Sequence, residues 1–182
     1  GTLGIVSGST LNLTDWVTGG LVAGQAGSRI QGVGLEDVEL SGDVAITIGD
    51  LTVRGGLEQT GTVTFEASGF SNAEALWLDG QVVLSGGGVI EMNNGDARIM
   101  QAGGTTGGLV NQENVIRPVG PGNSGRIAGD VLNEGRVEVA SGATLGLGGT
   151  IGGGVVEVGP GGFLAGGLRE GVRRGGWWPV ST

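Results

Sequence analysis

The chain contains no cysteine, histidine, tyrosine or lysine among its 182 residues. Without cysteine there is no disulfide and no thiolate nucleophile. Without histidine there is no imidazole base and no ordinary zinc site. Any catalysis would have to use carboxylates, arginine and hydroxyl groups, and we expect a protein that is not an enzyme.

Positive charge is scarce as well. The formal net charge is −9, whereas binding to a phosphate backbone needs a basic surface, so nucleic acid is not expected as a partner. No apolar run reaches the roughly 18 residues of a membrane-spanning helix, and no signal peptide is visible. The chain opens on Gly1 instead of Met, which fits a processed secreted protein or a fragment of a larger one.

Glycine is abundant, with 44 residues, but the sequence is periodic and therefore not typical of disorder. The stretch Val137–Leu145 recurs nineteen residues later as Val156–Leu164, with glutamate on glutamate and Gly142 on Gly161. Short β-type runs separated by glycine and repeated at a period near twenty are typical of the coils of a β-solenoid.

Short strand-like runs bounded by Gly, Asn, Asp or Ser follow one another along the whole chain, and no stretch shows a sustained helical period. The predicted strands are Thr10–Leu13, Val38–Leu40, Val44–Ile48, Leu51–Val53, Thr62–Phe65, Ala75–Leu78, Val82–Leu84, Val89–Met92, Ala97–Met100, Val115–Ile116, Val131–Leu132, Val137–Val139, Thr144–Leu147 and Val155–Val158.

These strands predict an all-β, parallel β-solenoid of about nine coils with 19–22 residues each, roughly 40–45 Å long at the usual strand spacing. We assign residues 1–168 to the solenoid and residues 169–182 to a basic and aromatic cap or interface tail. The alternative is an antiparallel sandwich or jelly roll, which short strands with frequent turns also permit. Hairpin signals are scarce, apart from Asn94-Gly95 and Asp79-Gly80, and this favours the solenoid.

Three segments resemble the repeat regions of bacterial autotransporter passengers and filamentous-haemagglutinin-type adhesins: Leu109–Ile116, Val131–Val139 and Gly142–Leu147. The resemblance extends loosely over residues 35–168 and lies in composition and period. It implies a right-handed β-helix, a place outside the cell or on the bacterial cell surface, and an adhesive or structural role with surface glycans as possible partners. An inert stalk cut from a larger adhesin would carry the same pattern.

Four glutamates lie between apolar residues and are predicted to form one outward acidic column, because in a strand such residues point outward while their neighbours point inward. They are Glu39, Glu91, Glu138 and Glu157. One coil apart, such carboxylates would repel each other unless they splay into water, bind Ca²⁺ or have a raised pKa. The Gly-Gly-x-Gly-x-Asp calcium repeat is absent, so no cofactor is predicted, although Ca²⁺ stays possible.

The densest acidic group is Glu36, Asp37, Glu39 and Asp43. A carboxylate pair about 5–9 Å apart across a groove could cleave glycosides. The alternative function is therefore a carbohydrate-binding or carbohydrate-cleaving β-helix, such as a phage tailspike region. Because tyrosine is absent and no aromatic platform accompanies these acids, no catalytic residue is assigned.

Trp16 and Trp77 are predicted to pack in the interior, with ligand stacking as the alternative. Five asparagines are expected to adopt left-handed turns and to stack as amide ladders, namely Asn93, Asn94, Asn111, Asn114 and Asn133.

The C-terminal segment is the candidate assembly interface, with Arg169, Arg173, Arg174, Trp177, Trp178 and Pro179. It carries three arginines and one acid, whereas residues 1–168 carry six arginines and seventeen acids. The basic end could fold back as a cap or meet the acidic body of another copy. The function that we expect is a secreted structural or adhesive solenoid that self-associates as a homo-oligomer or fibre by stacking head to tail.

Overall fold

A computed structural model describes residues 1–66, 74–93, 95–169 and 171–176, with the backbone alone at 48 and 49. These residues contain no helix and form strands that run as follows: β1 Thr2–Ile5, β2 Thr10–Thr18, β3 Leu21–Gly24, β4 Ser28–Ser41, β5 Val44–Gln59, β6 Thr62–Phe65, β7 Ala75–Ser85, β8 Val89–Met92, β9 Ala97–Gln101, β10 Leu109–Asn111, β11 Val115–Pro118, β12 Ser124–Ile127, β13 Val131–Asn133, β14 Arg136–Val139, β15 Thr144–Gly152, β16 Val155–Val158, β17 Phe163–Leu168 and β18 Arg173–Gly176.

The described strand pairs are all parallel, and each coil contributes a short segment to each of three faces. Face A consists of β1, β3, the ends of β4, β5 and β7, then β10, β13 and the ends of β15 and β17. Face B consists of the starts of β2, β4 and β5, then β6, β8, β11, β14, β16 and β18. Face C consists of the end of β2, the middles of β4 and β5, the start of β7, then β9, β12 and the starts of β15 and β17.

The predicted fold class is confirmed: the chain winds into a parallel β-solenoid of about nine coils. Val137 pairs with Val156, and Glu138 with Glu157, as the nineteen-residue repeat requires. The coil length varies more than predicted. Sixteen residues separate the partners Ser28 and Val44, whereas twenty-eight separate Ile99 and Ile127. The ladder tolerates this variation because extra residues lie in the corners between faces, as in the segment 102–108 between β9 and β10.

The core consists of inward columns in which apolar residues of successive coils lie on one another. On face B one such column runs through Val63, Ile90, Ile116, Val137 and Val156, none of which is more than 3% exposed. Strand alternation then turns the residues between them outward. Because the core is continuous from coil to coil, the spacing of outward residues on each face is fixed by the rungs.

Glycine is required where a corner turns through a left-handed conformation. Gly142 and Gly161, the matching glycines of the sequence repeat, have φ values of 70° and 68°. An L side chain is disfavoured there by contact between Cβ and the carbonyl oxygen. The repeat in the sequence is therefore a repeat of the same backbone turn.

Candidate functional site

On face B, outward carboxylates and guanidinium groups of neighbouring rungs form ion pairs along the rod. The face B charge column comprises Glu91, Arg117, Glu138 and Glu157 in register, together with Arg136 in the adjacent outward position. The Arg117 guanidinium lies 3.1 Å (Nε to Oε1) from Glu91 on one rung and 3.6 Å (Nη1 to Oε2) from Glu138 on the next. The Arg136 Nη1 lies 3.2 Å from Glu138 and 3.6 Å from Glu157.

The guanidinium groups of Arg117 and Arg136 therefore lie between the glutamates, at the position where the sequence analysis considered a bound Ca²⁺. The hydrogen bond to the Glu91 carboxylate is the largest cause that raises the pKa of Arg117 above its ordinary value. Among the described residues, no three His, Cys, Asp or Glu side chains form a group that could hold a metal ion. The repulsion expected between Glu138 and Glu157 is offset by the guanidinium that bridges them.

The predicted column of four glutamates is correct for three of them and wrong for Glu39. Glu91, Glu138 and Glu157 lie on face B, but Glu39 lies on face A, where it pairs in register with Glu58. Glu39 and Glu58 are exposed and form no ion pair among the described residues. The sequence pattern identified the outward direction correctly but could not assign the face.

The acidic group around residues 36–43 does not converge on one point. Glu36 is on face C, where its carboxylate lies 2.8 Å from the Arg54 Nε and accepts a hydrogen bond of 2.9 Å from the Thr18 hydroxyl. These contacts, that with Arg54 first, lower the pKa of Glu36 below its ordinary value. Asp43 accepts a hydrogen bond from the Thr62 amide at a corner. Two of the four acids thus fix local structure on separate parts of the surface.

The other two, Asp37 and Glu39, line a shallow depression of about 570 Å³ on face A together with Glu58, Gly56 and Ser85. Asp37 has φ of 51° and its Oδ1 accepts a hydrogen bond of 2.7 Å from the Gly56 amide, which links adjacent rungs. Sequence reasoning missed Glu58 because it lies nineteen residues beyond Glu39, and only the coil register brings the two together. No aromatic side chain of the described residues lines the depression.

Trp16 and Trp77 face outward on face C and are half-buried, so the prediction that they are interior residues is wrong. The Trp16 ring lies over the backbone of Gly34, where a Cβ would come within 2.5 Å of the ring. The Arg54 guanidinium lies over that ring, 4.1 Å from its centroid. Trp16, Arg54 and Glu36 therefore form a stacked unit that spans neighbouring rungs. Trp77 is in register with Thr52 and Met100.

The predicted amide ladder is confirmed for Asn111 and Asn133 at the corner between faces A and B, whereas it is wrong for Asn93, which is exposed at the opposite end of face B, just after β8. The Asn111 Nδ2 donates a hydrogen bond of 2.7 Å to the Asn133 Oδ1, and both residues are fully buried. The Asn114 Nδ2 donates to the Gln59 Oε1 at 2.9 Å, which extends the network by a residue that the sequence did not indicate. The predicted left-handed conformation is wrong for the described asparagines, because Asp37 is the one described residue other than glycine with positive φ. Asn94 lies outside the described residues.

The predicted assembly segment is described in part. Arg169 is exposed, and its Nη2 lies 3.1 Å from the Asp130 Oδ2. Arg173 and Arg174 belong to β18 on face B, in register with Val155 and Val156. The ladder thus continues beyond residue 168. Trp177, Trp178 and Pro179 lie outside the described residues.

The described residues include no helix with the length and apolar character needed to cross a membrane. The chain matches no protein-family model, no curated protein and no solved structure. The structure agrees with the sequence resemblance in its fold, which is a β-solenoid built from repeating parallel coils.

Proposed function

We propose that the chain is a secreted structural or adhesive β-solenoid, a rigid rod whose copies stack head to tail into an extracellular filament. The observation that carries this proposal is the state of the first rung. β1 pairs with β3 and has no second strand partner among the described residues. An unpaired edge of this kind recruits further strands.

The first rung also leaves part of the core uncovered. Leu3 is 39% exposed, although Val22 and Leu40, which follow it in the same column, are fully buried. A further parallel coil placed on this end would cover Leu3 and pair the free edge of β1. The last coil of a second copy supplies such a surface, and so would a continuation of the chain itself.

Negative-stain microscopy and light scattering at increasing concentration test the stacking. We expect particles that lengthen in steps of roughly 40–45 Å, the length of nine coils at the usual strand spacing. Leu3→Lys should shorten them by placing a charge in the joint, whereas Val33→Lys, at an exposed apolar residue on the side of the second coil, should not. Isolated blunt rods at every concentration would contradict the proposal.

The reading frame around this segment would distinguish an excised stalk, which requires flanking repeats of the same period.

A carbohydrate-directed role is the second candidate, and the acidic depression on face A supports it. Asp37, Glu39 and Glu58 are the carboxylates that line this depression. Incubation with a panel of polysaccharides should release reducing ends if these groups act in hydrolysis, and Glu39→Gln and Glu58→Gln should abolish the release. Binding without release would indicate a lectin-like role, and neither binding nor release would leave the scaffold as the function.

A further inference from the structure

The outward surface of face A carries one column of residues that is self-complementary. In coil order this face A column consists of Asp37, Gly56, Val83, Val110, Leu132, Gly152 and Arg169. Its first and last members carry opposite charges, the second and sixth are glycines, and the central three are apolar. Val110 lies at the middle, with three rungs on either side.

From this column we infer that face A is a two-fold interface with a second copy of the chain. The two rods lie side by side and antiparallel. The symmetry axis runs between the facing sheets, parallel to the strands and level with Val110. This operation brings Asp37 opposite the Arg169 of the second copy, Gly56 opposite Gly152 and Val83 opposite Leu132. A contact of this type is closed, because each patch meets an identical one.

The apolar centre would supply most of the favourable free energy. Leu132 is 52% exposed, one of few large apolar side chains with so much accessible surface, and Val83 and Val110 are half-buried beside it. Their contact across the axis would remove apolar area from water. The glycines on either side allow the sheets to approach without side chains between them.

The charges would fix the orientation. Arg169 is exposed and shares its guanidinium with Asp130 of its own chain in a solvent-screened pair. In the antiparallel arrangement its end would enter the acidic depression formed by Asp37, Glu39 and Glu58. In a parallel arrangement each acidic depression would instead meet another one, and like charges would repel. Charge complementarity therefore selects the antiparallel pair over the parallel pair.

The neighbouring outward column agrees with this arrangement. It runs through Glu39, Glu58 and Ser85 toward Gln112 and Glu134. The same two-fold operation brings Glu134 opposite Ser85 and Gln112 opposite its own copy. No glutamate of this column faces another glutamate among the described residues.

The contact is small. Seven rungs by two columns cover roughly 400 Å² on each copy at ordinary strand dimensions. Interfaces of this size are weak and transient, so the dimer should form only at high protein concentration. The inference does not depend on the proposed stacking, because lateral pairing uses the side of the rod and stacking uses its ends.

Sedimentation equilibrium from about 10 µM to 1 mM measures the dimer directly. Leu132→Glu should raise the dissociation constant about tenfold or more, since it places a charge in the apolar centre. The matched control Val33→Glu changes an exposed apolar residue away from face A and should leave the constant unchanged. Arg169→Glu should weaken the dimer less, and mostly at low salt. Unchanged circular dichroism would verify that each variant is folded.

Crosslinking tests the two-fold arrangement directly. Because the chain contains no cysteine, an introduced cysteine is the only thiol that can react. Val110→Cys should be crosslinked to its own copy by a bismaleimide that reaches about 10 Å, the distance between facing sheets. Val33→Cys should not be. A protein that is monomeric at 1 mM, or a dimer in which Val110→Cys fails to crosslink, overturns the inference. End-to-end filaments without side contacts would overturn it while supporting the proposed stacking, and a dimer without filaments would do the reverse.

Discussion

Individual buried amides hold the corner between faces A and B. The Asn111 side chain donates to the Asn133 Oδ1 and to the Asn114 carbonyl, and its Oδ1 accepts from the Asn114 amide. The Gln59 Nε2 donates to the Gly61 and Val89 carbonyls, and the Asn133 Nδ2 repeats this pattern toward Gly135 and Val155. The amides thus satisfy backbone groups that the turn of the chain leaves without strand partners.

Asn111→Ala should lower the free energy of unfolding by about 2–3 kcal/mol, because it leaves buried groups of Asn114 and Asn133 without hydrogen bonds. Urea titration followed by circular dichroism measures the change. The control is Asn12→Ala, at an exposed asparagine that accepts a hydrogen bond from Gln31, with an expected loss below about 0.5 kcal/mol. Equal losses in both variants would show that the corner ladder has no special role.

A single glycine can contribute as much to the stability of the fold as a buried amide side chain such as that of Asn111. Gly42 has φ of 75°, and a Cβ at this position would lie 2.1 Å from the Gly24 carbonyl oxygen of the preceding coil. We expect Gly42→Ala to destabilise the fold by about 2–4 kcal/mol, from the left-handed backbone and the contact together. Gly4→Ala has open space and should cost less than about 1 kcal/mol in the same urea titration. A tolerated Gly42→Ala would mean that the coils can separate at this corner.

Glu36 gives stability an identifiable dependence on pH. Arg54 and Thr18 lower its pKa in the folded state, so the folded protein favours the ionised form. This contribution is fully present above the pKa of the unfolded chain, about 4.3, and is lost as pH falls through the lower folded pKa. Relative to wild type, Glu36→Gln should therefore be destabilising at pH 6, with a difference that shrinks as the pH falls below about 4. Urea midpoints from pH 6 to 2.5 measure it. The control is Thr18→Val, which removes the hydroxyl that donates to Glu36 and should reduce the same pH dependence in part.

At the scale of strands, the bounds could be predicted from the sequence where apolar and polar residues alternate. Thr62–Phe65, Val89–Met92 and Val155–Val158 have the predicted bounds, because apolar and polar residues alternate cleanly there. Strands such as Leu21–Gly24 and Arg173–Gly176 were missed, since glycine and arginine occupy positions that are apolar elsewhere. Their strand conformation follows from pairing with the coil beside them, which is a non-local effect.

The faces were harder to predict than the strands. Coils of unequal length displace the register, so a constant period fails beyond the matched repeat of Val137 and Val156. For this reason Glu39 was grouped with glutamates of another face, and Glu58 was not noticed as its neighbour. The arginines between the glutamates of face B could be found only once Arg117 was placed on the rung next to Glu138.

The face B charge column makes these strands sensitive to salt. Arg117→Gln removes the cation between Glu91 and Glu138 and should cost about 0.5–1 kcal/mol at low ionic strength, the usual value for partly exposed pairs. In 1 M NaCl the difference should nearly vanish, since screening acts within about 3 Å. Urea unfolding at both salt concentrations tests this. Arg126→Gln, at an exposed arginine without an ion pair among the described residues, should differ little from wild type in either. A loss that is independent of salt would indicate packing instead of charge.

For the whole molecule, stability in a stack of parallel rungs depends on neighbours. An interior rung such as β8 has strands on both sides, whereas β1 has one among the described residues. In such one-dimensional arrays a terminal rung opens most readily. Hydrogen exchange followed by mass spectrometry should therefore show protection that is greatest near Val89–Met92 and falls toward Thr2–Ile5.

The same measurement distinguishes the two modes of self-association. Stacking pairs the free amides of β1 with another strand, so raising the protein concentration should slow exchange at Thr2–Ile5. Lateral pairing through the face A column covers side chains whose backbone amides already lie within the ladder, so exchange at the first rung should not change even when the dimer is formed. Slower exchange at Thr2–Ile5 in both wild type and Leu132→Glu would establish stacking as independent of face A. If the rate at Thr2–Ile5 is constant while sedimentation reports a dimer, the ends are not the site of association, and the filament proposal fails while the two-fold interface stands.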